Sequence, residues 1–394
     1  MDKEIIYLDN NATTQVDPRV LEVMLPFLTN NFANASSTHQ FGVVANDAVK
    51  KARGQVANLI GAQLNEVIFT SGATEAINLA IKGVAENYST KGNHIITVCT
   101  EHTATLDTLK YLESRGLEVT YLPVNENGLI DLNDLTNALR PTTILVAVMF
   151  SNNETGVIQP IVEISSLTHK AGALFFCDAT QAVGKIDISV DTYGIDLLAM
   201  SGHKLYAPKG VGALYIRQRG ANKVKIPALI HGGGHERGYR SGTLNVPGIV
   251  ALGKACELAQ QSMKKESIEI AQLRDYLQTE LLKIDGTKVN GDFNNRIYNV
   301  ANICFKGVDS DAMIIGLSNS DENIPLIAVS NGSACTSTSI APSHVLIGMG
   351  LSEIEAYSSI RFSLGRFNSK HEIDTTIVAL KNTIQSLRSM MLYE

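Results

Sequence analysis

The chain has 394 residues, of which 44% are hydrophobic, and its 33 Lys and Arg against 39 Asp and Glu give a formal net charge of −6. That length and apolar content supply a large buried core without disulfide or metal staples, and they exclude a disordered chain. No basic excess exists for direct nucleic-acid binding, and the longest unbroken apolar run, 144–150, is far short of a membrane span. With acidic residues at Asp2 and Glu4 and no apolar signal core, the sequence reads as a soluble cytoplasmic protein with no membrane association.

From about residue 45 to residue 216, strand-like runs alternate with helix-period stretches. The predicted strands are 66–70, 94–100, 117–122, 143–150, 173–178, 196–200 and 211–216; the helices between them include 75–86, 103–115, 132–139 and 161–170. Near-continuous Val/Ile/Leu strands separated by helices predict a mostly parallel sheet buried on both faces, and so a three-layer αβα domain. Beyond Pro247 a long amphipathic helix, 250–284, leads to strands at 298–305, 327–330 and 360–364 and a last helix, 371–392. The expected division is a large domain over 15–260 and a smaller α/β domain made of 1–14 and 261–394.

Ligands in open α/β sheets bind at the carboxyl ends of the strands, and the notable polar residues fall there. Strand 66–70 runs into Ser71-Gly72-Ala73-Thr74-Glu75 and a helix, an arrangement of small residues that suits an anion, though alone it reads more readily as an ordinary N-cap by Ser71 or Thr74. Strand 173–178 ends in Asp178, followed by Ala179-Thr180-Gln181. Strand 196–200 runs into Ser201-Gly202-His203-Lys204, and a lysine at the tip of a buried strand is costly unless paired, modified or used. Together a phosphate cup, a carboxylate for a pyridinium nitrogen and an imine-forming lysine suit pyridoxal 5'-phosphate (PLP), Schiff-based on Lys204. The 26 residues from Asp178 to Lys204 leave room for one crossover helix.

The five cysteines show no metal-ligand spacing. Cys99, Cys177, Cys256 and Cys304 sit in apolar or helical patterns and read as small buried hydrophobes. Cys335 lies in Gly332-Ser333-Ala334-Cys335-Thr336-Ser337, a small polar stretch that predicts an exposed, reactive thiol as readily as an idle one. His231 and His235 flank three glycines, and with no third ligand evident this reads as a loop and not a metal site.

Nine stretches in chain order now resemble the cysteine desulfurases, class V relatives of the fold type I PLP enzymes. They are Tyr7-Leu8-Asp9-Asn10-Asn11-Ala12-Thr13-Thr14, Thr70-Ser71-Gly72-Ala73-Thr74-Glu75, Glu101-His102, Asn152-Asn153-Glu154-Thr155-Gly156, Asp178-Ala179-Thr180-Gln181, Ser201-Gly202-His203-Lys204, Arg240-Ser241-Gly242-Thr243, the Cys335 stretch, and Arg361-Phe362-Ser363-Leu364-Gly365-Arg366. The Gly-Ser-Ala-Cys-Thr-Ser loop is similar to that of the iron–sulfur-cluster and nitrogen-fixation group.

The resemblance implies a reaction in which L-cysteine yields L-alanine and a persulfide on Cys335, which passes to a protein acceptor such as an iron–sulfur scaffold or thiolation protein. It implies Lys204, Cys335 and His102 as catalytic, with His102 stacked on the ring. Ala73, Thr74, Ser201 and His203 would bind the phosphate, Asp178 the ring nitrogen, and Gln181 and Asn153 would lie near the ring hydroxyl. Asn153 and Arg361 would hold the substrate carboxylate, and Thr243 would reach the phosphate of the partner subunit in a homodimer. Each has a plainer reading: His102 as a helix cap, Asn152-Asn153 as a turn, Arg361 as a surface ion-pairing residue. Selenocysteine lyase, β-lyase, aminotransferase and a non-catalytic sulfur-relay partner are the alternatives. Where relatives often carry Asn-Pro-Ser-Ser-x-His, this chain has Asn34-Ala35-Ser36-Ser37-Thr38-His39.

Overall fold

The computed structural model describes residues 5–220, 223–318, 325–332 and 341–391. The N-terminal segment forms strand β1 (Ile5–Tyr7), followed by helices α1 (Pro18–Met24), α2 (Pro26–Thr29) and α3 (Gln40–Ile60). Local chemistry sets the ends of α3. His39 Nδ1 accepts the Gly42 N–H at its start, and Gly61, at φ +66°, closes it in the left-handed conformation. In the turn before α3, Asn34 Oδ1 accepts the Ser36 N–H at 2.9 Å and holds the loop without a proline.

The alternating region then runs β2 (Val67–Thr70), α4 (Ala73–Asn87), β3 (His94–Val98), α5 (Thr103–Glu113), β4 (Glu118–Leu122), α6 (Leu132–Ala138), β5 (Thr143–Ala147), α7 (Ile161–Lys170), β6 (Leu174–Asp178), β7 (Leu197–Ser201) and β8 (Gly212–Ile216). These strands form one sheet in the order β2-β8-β7-β6-β5-β3-β4. Only β8 is antiparallel to its neighbours, so the other six point their carboxyl ends the same way. Alternation sends Ile96, Val146, Phe175, Cys177, Leu198 and Met200 to one face, packed against α3 and residues 246–259. Ile95, Leu145, Phe176, Leu197 and Ala199 face α4 and α5 on the other. The predicted αβα layering is present.

One expectation fails. No helix connects β6 to β7; residues 179–196 form turns and a single bridge between Val183 and Ile186. Gly184 (φ +76°) and Gly194 (φ +63°) break the helical run. Ala182, Val183, Ile188, Val190 and Ile195 still reach the core, taking the place a helix face would fill.

Helix α8 (Val246–Leu281) follows, 36 residues long and starting earlier than the sequence predicts. Pro247 belongs to its first turn, where a missing N–H costs nothing, and Asn245 caps it through the Gly248 N–H. The remaining elements are β9 (Thr287–Asn290), β10 (Val300–Phe305), α9 (Ser310–Ser318), β11 (Leu326–Ala328), α10 (His344–Gly348), α11 (Glu353–Tyr357), β12 (Ser359–Ser363) and α12 (Lys370–Met391). Strands β12-β10-β9 make an antiparallel sheet, and β1 pairs in parallel with β11. A separate apolar cluster unites Ile6 and Leu8, the far end of α8 (Ile270, Leu277, Leu281), β10, β12 and α12. Cys177, Cys256 and Cys304 are buried as expected, but Cys99 is only half-buried. Among the described residues no helix is long and apolar enough to cross a membrane.

Candidate active site

Five of the six co-directed strands, β2, β3, β5, β6 and β7, deliver their following residues to one cavity of about 550 Å³. At one end lies the cup after β2. Gly72 caps α4 without a side-chain hydrogen bond, leaving the first-turn N–H groups of Ala73 and Thr74 without an intrahelical acceptor. Glu75 turns back to take the Ser71 N–H (2.8 Å) and is fixed by Arg240 at 2.9 Å. Ser201, whose Oγ lies 3.7 Å from where a Cβ on Gly72 would stand, lines the cavity with His203, Lys209 and Gly210. Strand β8 passes directly beneath, because a Cβ on Gly212 would stand 2.7 Å from the Gly72 Cα and 2.6 Å from the Met200 carbonyl oxygen.

Asp178 closes β6 on the cavity floor, its Oδ1 accepting the Thr180 N–H (2.9 Å). Gln181 donates through Nε2 to the Asn11 carbonyl (3.0 Å). Its Oε1, together with Thr180 Oγ1 and Ser151 Oγ, is buried without a partner among the described residues. All three side chains line the cavity. His102 caps α5: its Nδ1 accepts the Ala104 N–H (3.1 Å), which leaves the proton of a neutral ring on Nε2. Burial lowers the His102 pKa, against the pull of Asp178. The cap reading and the cavity reading thus hold for the same ring. Behind it, Glu101 is fully buried, with Oε1 on the Met149 N–H (2.6 Å); burial pushes its carboxyl well above the ordinary range.

Lys204 Nζ donates to the carbonyls of Asn11 (2.5 Å) and Ala12 (2.7 Å). Those carbonyls come from the segment after β1, which is laced to both sides of the cavity. Asn11 Nδ2 donates to the Asn153 carbonyl (3.1 Å), Asn299 Nδ2 to Asn11 Oδ1 (3.0 Å), and the Thr14 N–H to the His203 carbonyl (2.8 Å). Lys185 donates to the Gln181 carbonyl (3.1 Å), and burial, with the Lys204 charge second, brings its amine down to about 7. Burial, then the charges of Lys204, Lys209 and Lys185, brings His203 down to about 4.

Arg361 projects from β12 and is 2% exposed, so it is no surface ion-pairing residue. One terminal nitrogen holds Asp9 Oδ1 (2.7 Å) and the other the Asn153 carbonyl (3.1 Å), while Nε has no acceptor among the described residues. Asn152 and Asn153 divide the two readings of their dipeptide. Asn152 makes the turn, its Oδ1 accepting the Glu154 and Thr155 N–H groups, and Asn153 lines the cavity. Thr243 is exposed and absent from the wall of its own chain's cavity. Cys335 lies outside the described residues; Gly332, three positions before it, is part of the wall.

Sequence reasoning missed Asn11 as the hub of this site, and Asp9, Ser151, Thr180, Lys185 and Lys209 as members. Lys185 offered one signal, standing four residues after Gln181; backbone acceptors such as those of Asn11 and Ala12 leave none.

The donor set fits PLP. An N–H cup with hydroxyl, imidazole and ammonium neighbours suits a phosphate dianion. A buried carboxylate suits a ring nitrogen, unpartnered wall atoms suit the ring's polar edge, and the lysine suits the aldehyde carbon. Among the described residues no group of three or more His, Cys, Asp or Glu could hold a metal ion.

Residues 6–376 match the family model for aminotransferase class-V. A protein of Anaeromyxobacter sp. (strain K) named cysteine desulfurase IscS is 48% identical over 392 residues, covering 99% of this chain and 95% of its own. A solved NifS-like protein superposes with a TM-score of 0.88 at 37% identity, covering 97% of this chain and 99% of its own. A second solved structure, of SspA in complex with cysteine, gives 0.79 at 38% identity over 92% of this chain and 100% of its own. Strand-end cavity, lysine dock and full-length likeness agree: the chain belongs to the aminotransferase class-V family, in its cysteine desulfurase branch.

Proposed function

We propose how the residues of this PLP-dependent cysteine desulfurase divide the work, and that the sulfur leaves L-cysteine for Cys335. The observation that carries the reading is the placement of Lys204, Asp178, His102 and Arg361 around one cavity whose wall also includes Gly332. PLP, when bound, supplies an electrophilic carbon for amines and a ring that accepts the electron pair released at the substrate Cα.

Lys204 anchors the cofactor and, as a released amine, takes and returns the Cα proton; the Asn11 and Ala12 carbonyls orient its nitrogen. Asp178 keeps a proton on the ring nitrogen, and neutral His102 presents a flat uncharged face. Ala73, Thr74, Ser201 and His203 bind the phosphate, with Gln181 and Asn153 at the ring hydroxyl. Arg361 receives the substrate carboxylate, and Asn153 supports it. The Cys335 thiolate attacks the substrate sulfur: a sulfur–sulfur bond forms and the substrate carbon–sulfur bond breaks. Overall, L-cysteine and the Cys335 thiol become L-alanine and the Cys335 persulfide, the carbon being reduced as the two sulfurs are oxidised. The persulfide then passes to an acceptor protein, an iron–sulfur scaffold or a thiolation protein.

The working unit is a homodimer in the cytoplasm, with Thr243 serving the partner's phosphate; its exposure in the single chain supports this. So do Leu25, Leu28, Phe32 and Phe41, apolar side chains left open on and between α1, α2 and α3. The large domain spans 15–260, and the small domain combines 1–14 with 261–394, in keeping with the separate apolar cluster around β10 and β12.

Intact-mass spectrometry after brief incubation with L-cysteine, without reductant, tests the reading. The expected result is one added sulfur on Cys335 with alanine in solution; Cys335→Ala keeps the yellow cofactor and loses the sulfur. Sulfide release by Cys335→Ala at the wild-type rate overturns it.

A further inference from the structure

Glu154 is 3% exposed and sits beside Asn153, yet it does not line the cavity. Its backbone is fixed: its N–H bonds to Asn152 Oδ1 (2.8 Å), and its carbonyl accepts from Asn302 Nδ2 (3.4 Å). Its carboxyl points at the two described stretches that flank residues 333–340. On the near side, Gly332 packs so closely on Glu154 Oε2 that a Cβ there would overlap it, and Gly332 holds φ +89°. On the far side, Ser343 Oγ donates to the same oxygen at 2.6 Å while accepting the Leu346 N–H that starts α10.

Each stretch is also tied to a site residue. Ser330 pairs with Arg361, whose N–H reaches the Ser330 carbonyl at 2.6 Å, and Ser330 Oγ accepts the Gly332 N–H (3.1 Å). His344 Nε2 meets the carbonyl of Glu101, the residue before His102, at 2.9 Å. A buried carboxyl is costly unless its hydrogen bonds are made. Burial raises its pKa, against the Ser343 hydrogen bond and the Arg361 and His344 charges. Packing alone would favour an apolar side chain in that position.

We propose that Glu154 is a positioning residue whose one carboxyl oxygen ties Gly332 to Ser343, the described residues on either side of 333–340, and that this tie governs sulfur transfer to Cys335. The proposal rests on Cys335 as the sulfur acceptor. Glu154 acts on the sulfur-transfer half of the reaction, since its carboxyl reaches Gly332 and Ser343 and does not line the cavity.

The test separates the halves in the PLP-loaded enzyme. Exchange of the cysteine Cα proton with deuterated solvent reports Lys204 chemistry; persulfide on Cys335, read by mass, reports transfer. Glu154→Ala and Ser343→Ala are expected to slow persulfide formation about 10- to 100-fold, as a misplaced reacting group does, and leave Cα exchange within about twofold. Glu154→Gln, which keeps an oxygen for Ser343, recovers most of the transfer rate. Equal loss of both half-reactions, or wild-type transfer in Glu154→Ala and Ser343→Ala, overturns the proposal. Where Glu154→Ala does not fold, Ser343→Ala decides between the same outcomes. Absence of persulfide in the wild type overturns the parent assignment of Cys335 instead, and the clamp with it.

Discussion

Lys204 and His203 are adjacent in sequence, but the site asks opposite things of them. The amine of Lys204 has two carbonyl acceptors waiting 2.5 and 2.7 Å away, so it can leave the cofactor without losing its place. Lys204→Ala is expected to lose the yellow Schiff base and to slow alanine release roughly a thousandfold, the range of a lost acid–base group. His203 is kept neutral, with a pKa near 4 against 6.5 for a free imidazole. An unfolded chain therefore binds a proton there that the folded chain does not, and the stability this residue contributes falls as pH drops from about 6.5 to 4. The full shift is worth on the order of 3 kcal/mol, less whatever solvent screens at a partly exposed ring. Urea midpoints of the cofactor-free protein at pH 7 and pH 4.5 measure it. The drop is expected to shrink in His203→Gln, and an equal drop in both contradicts the assignment.

Among the elements, β8 and α4 show how a strand can serve a site it does not enter. Gly212 lets β8 run under the proposed phosphate cup, and Gly212→Ala places a methyl 2.7 Å from the Gly72 Cα. The overpacking is expected to cost about 1–3 kcal/mol and to weaken PLP binding at least about tenfold; unchanged cofactor affinity by absorbance titration would contradict the cup. Strands and helices at this level were largely legible, because buried parallel strands read as unbroken Val/Ile/Leu runs and α5 and α7 carry clear periodicity. The β6–β7 connection was not, since its apolar residues have core spacing without helix spacing and only the glycines betray the turns. Side chains at strand ends were legible for the same positional reason: Asp178, Ser201, His203 and Lys204 follow runs whose direction the alternating pattern sets. Asn11 and Glu154 were quoted within motifs, yet their work lies in contacts to residues 142 to 288 positions away, which no local pattern records. Arg361 was read as a carboxylate grip, but its Asp9 partner was invisible for that reason.

For the whole molecule, the proposed sharing of each site between two subunits predicts rescue between two crippled chains. In a mixed dimer of Lys204→Ala and Thr243→Ala subunits, one site pairs an intact Lys204 with the partner's intact Thr243. Refolded together, the two are expected to regain up to about a quarter of wild-type desulfurase activity, half the dimers being mixed and half their sites whole. No rescue, with each variant alone impaired, places Thr243 within its own chain. Connectivity within one chain carries a further consequence. Strand β1 pairs with β11, some 320 residues later (Ile5 with Leu326), and the Asn10 N–H bonds to the Ser363 carbonyl. The stretch that cradles the Lys204 amine thus finds its lasting partners more than 300 residues further along the chain. A nascent chain can complete the central sheet while the lysine dock is still open. Capture of the cofactor in its working geometry therefore waits for the partners near residues 326 and 363, well after the central sheet can form.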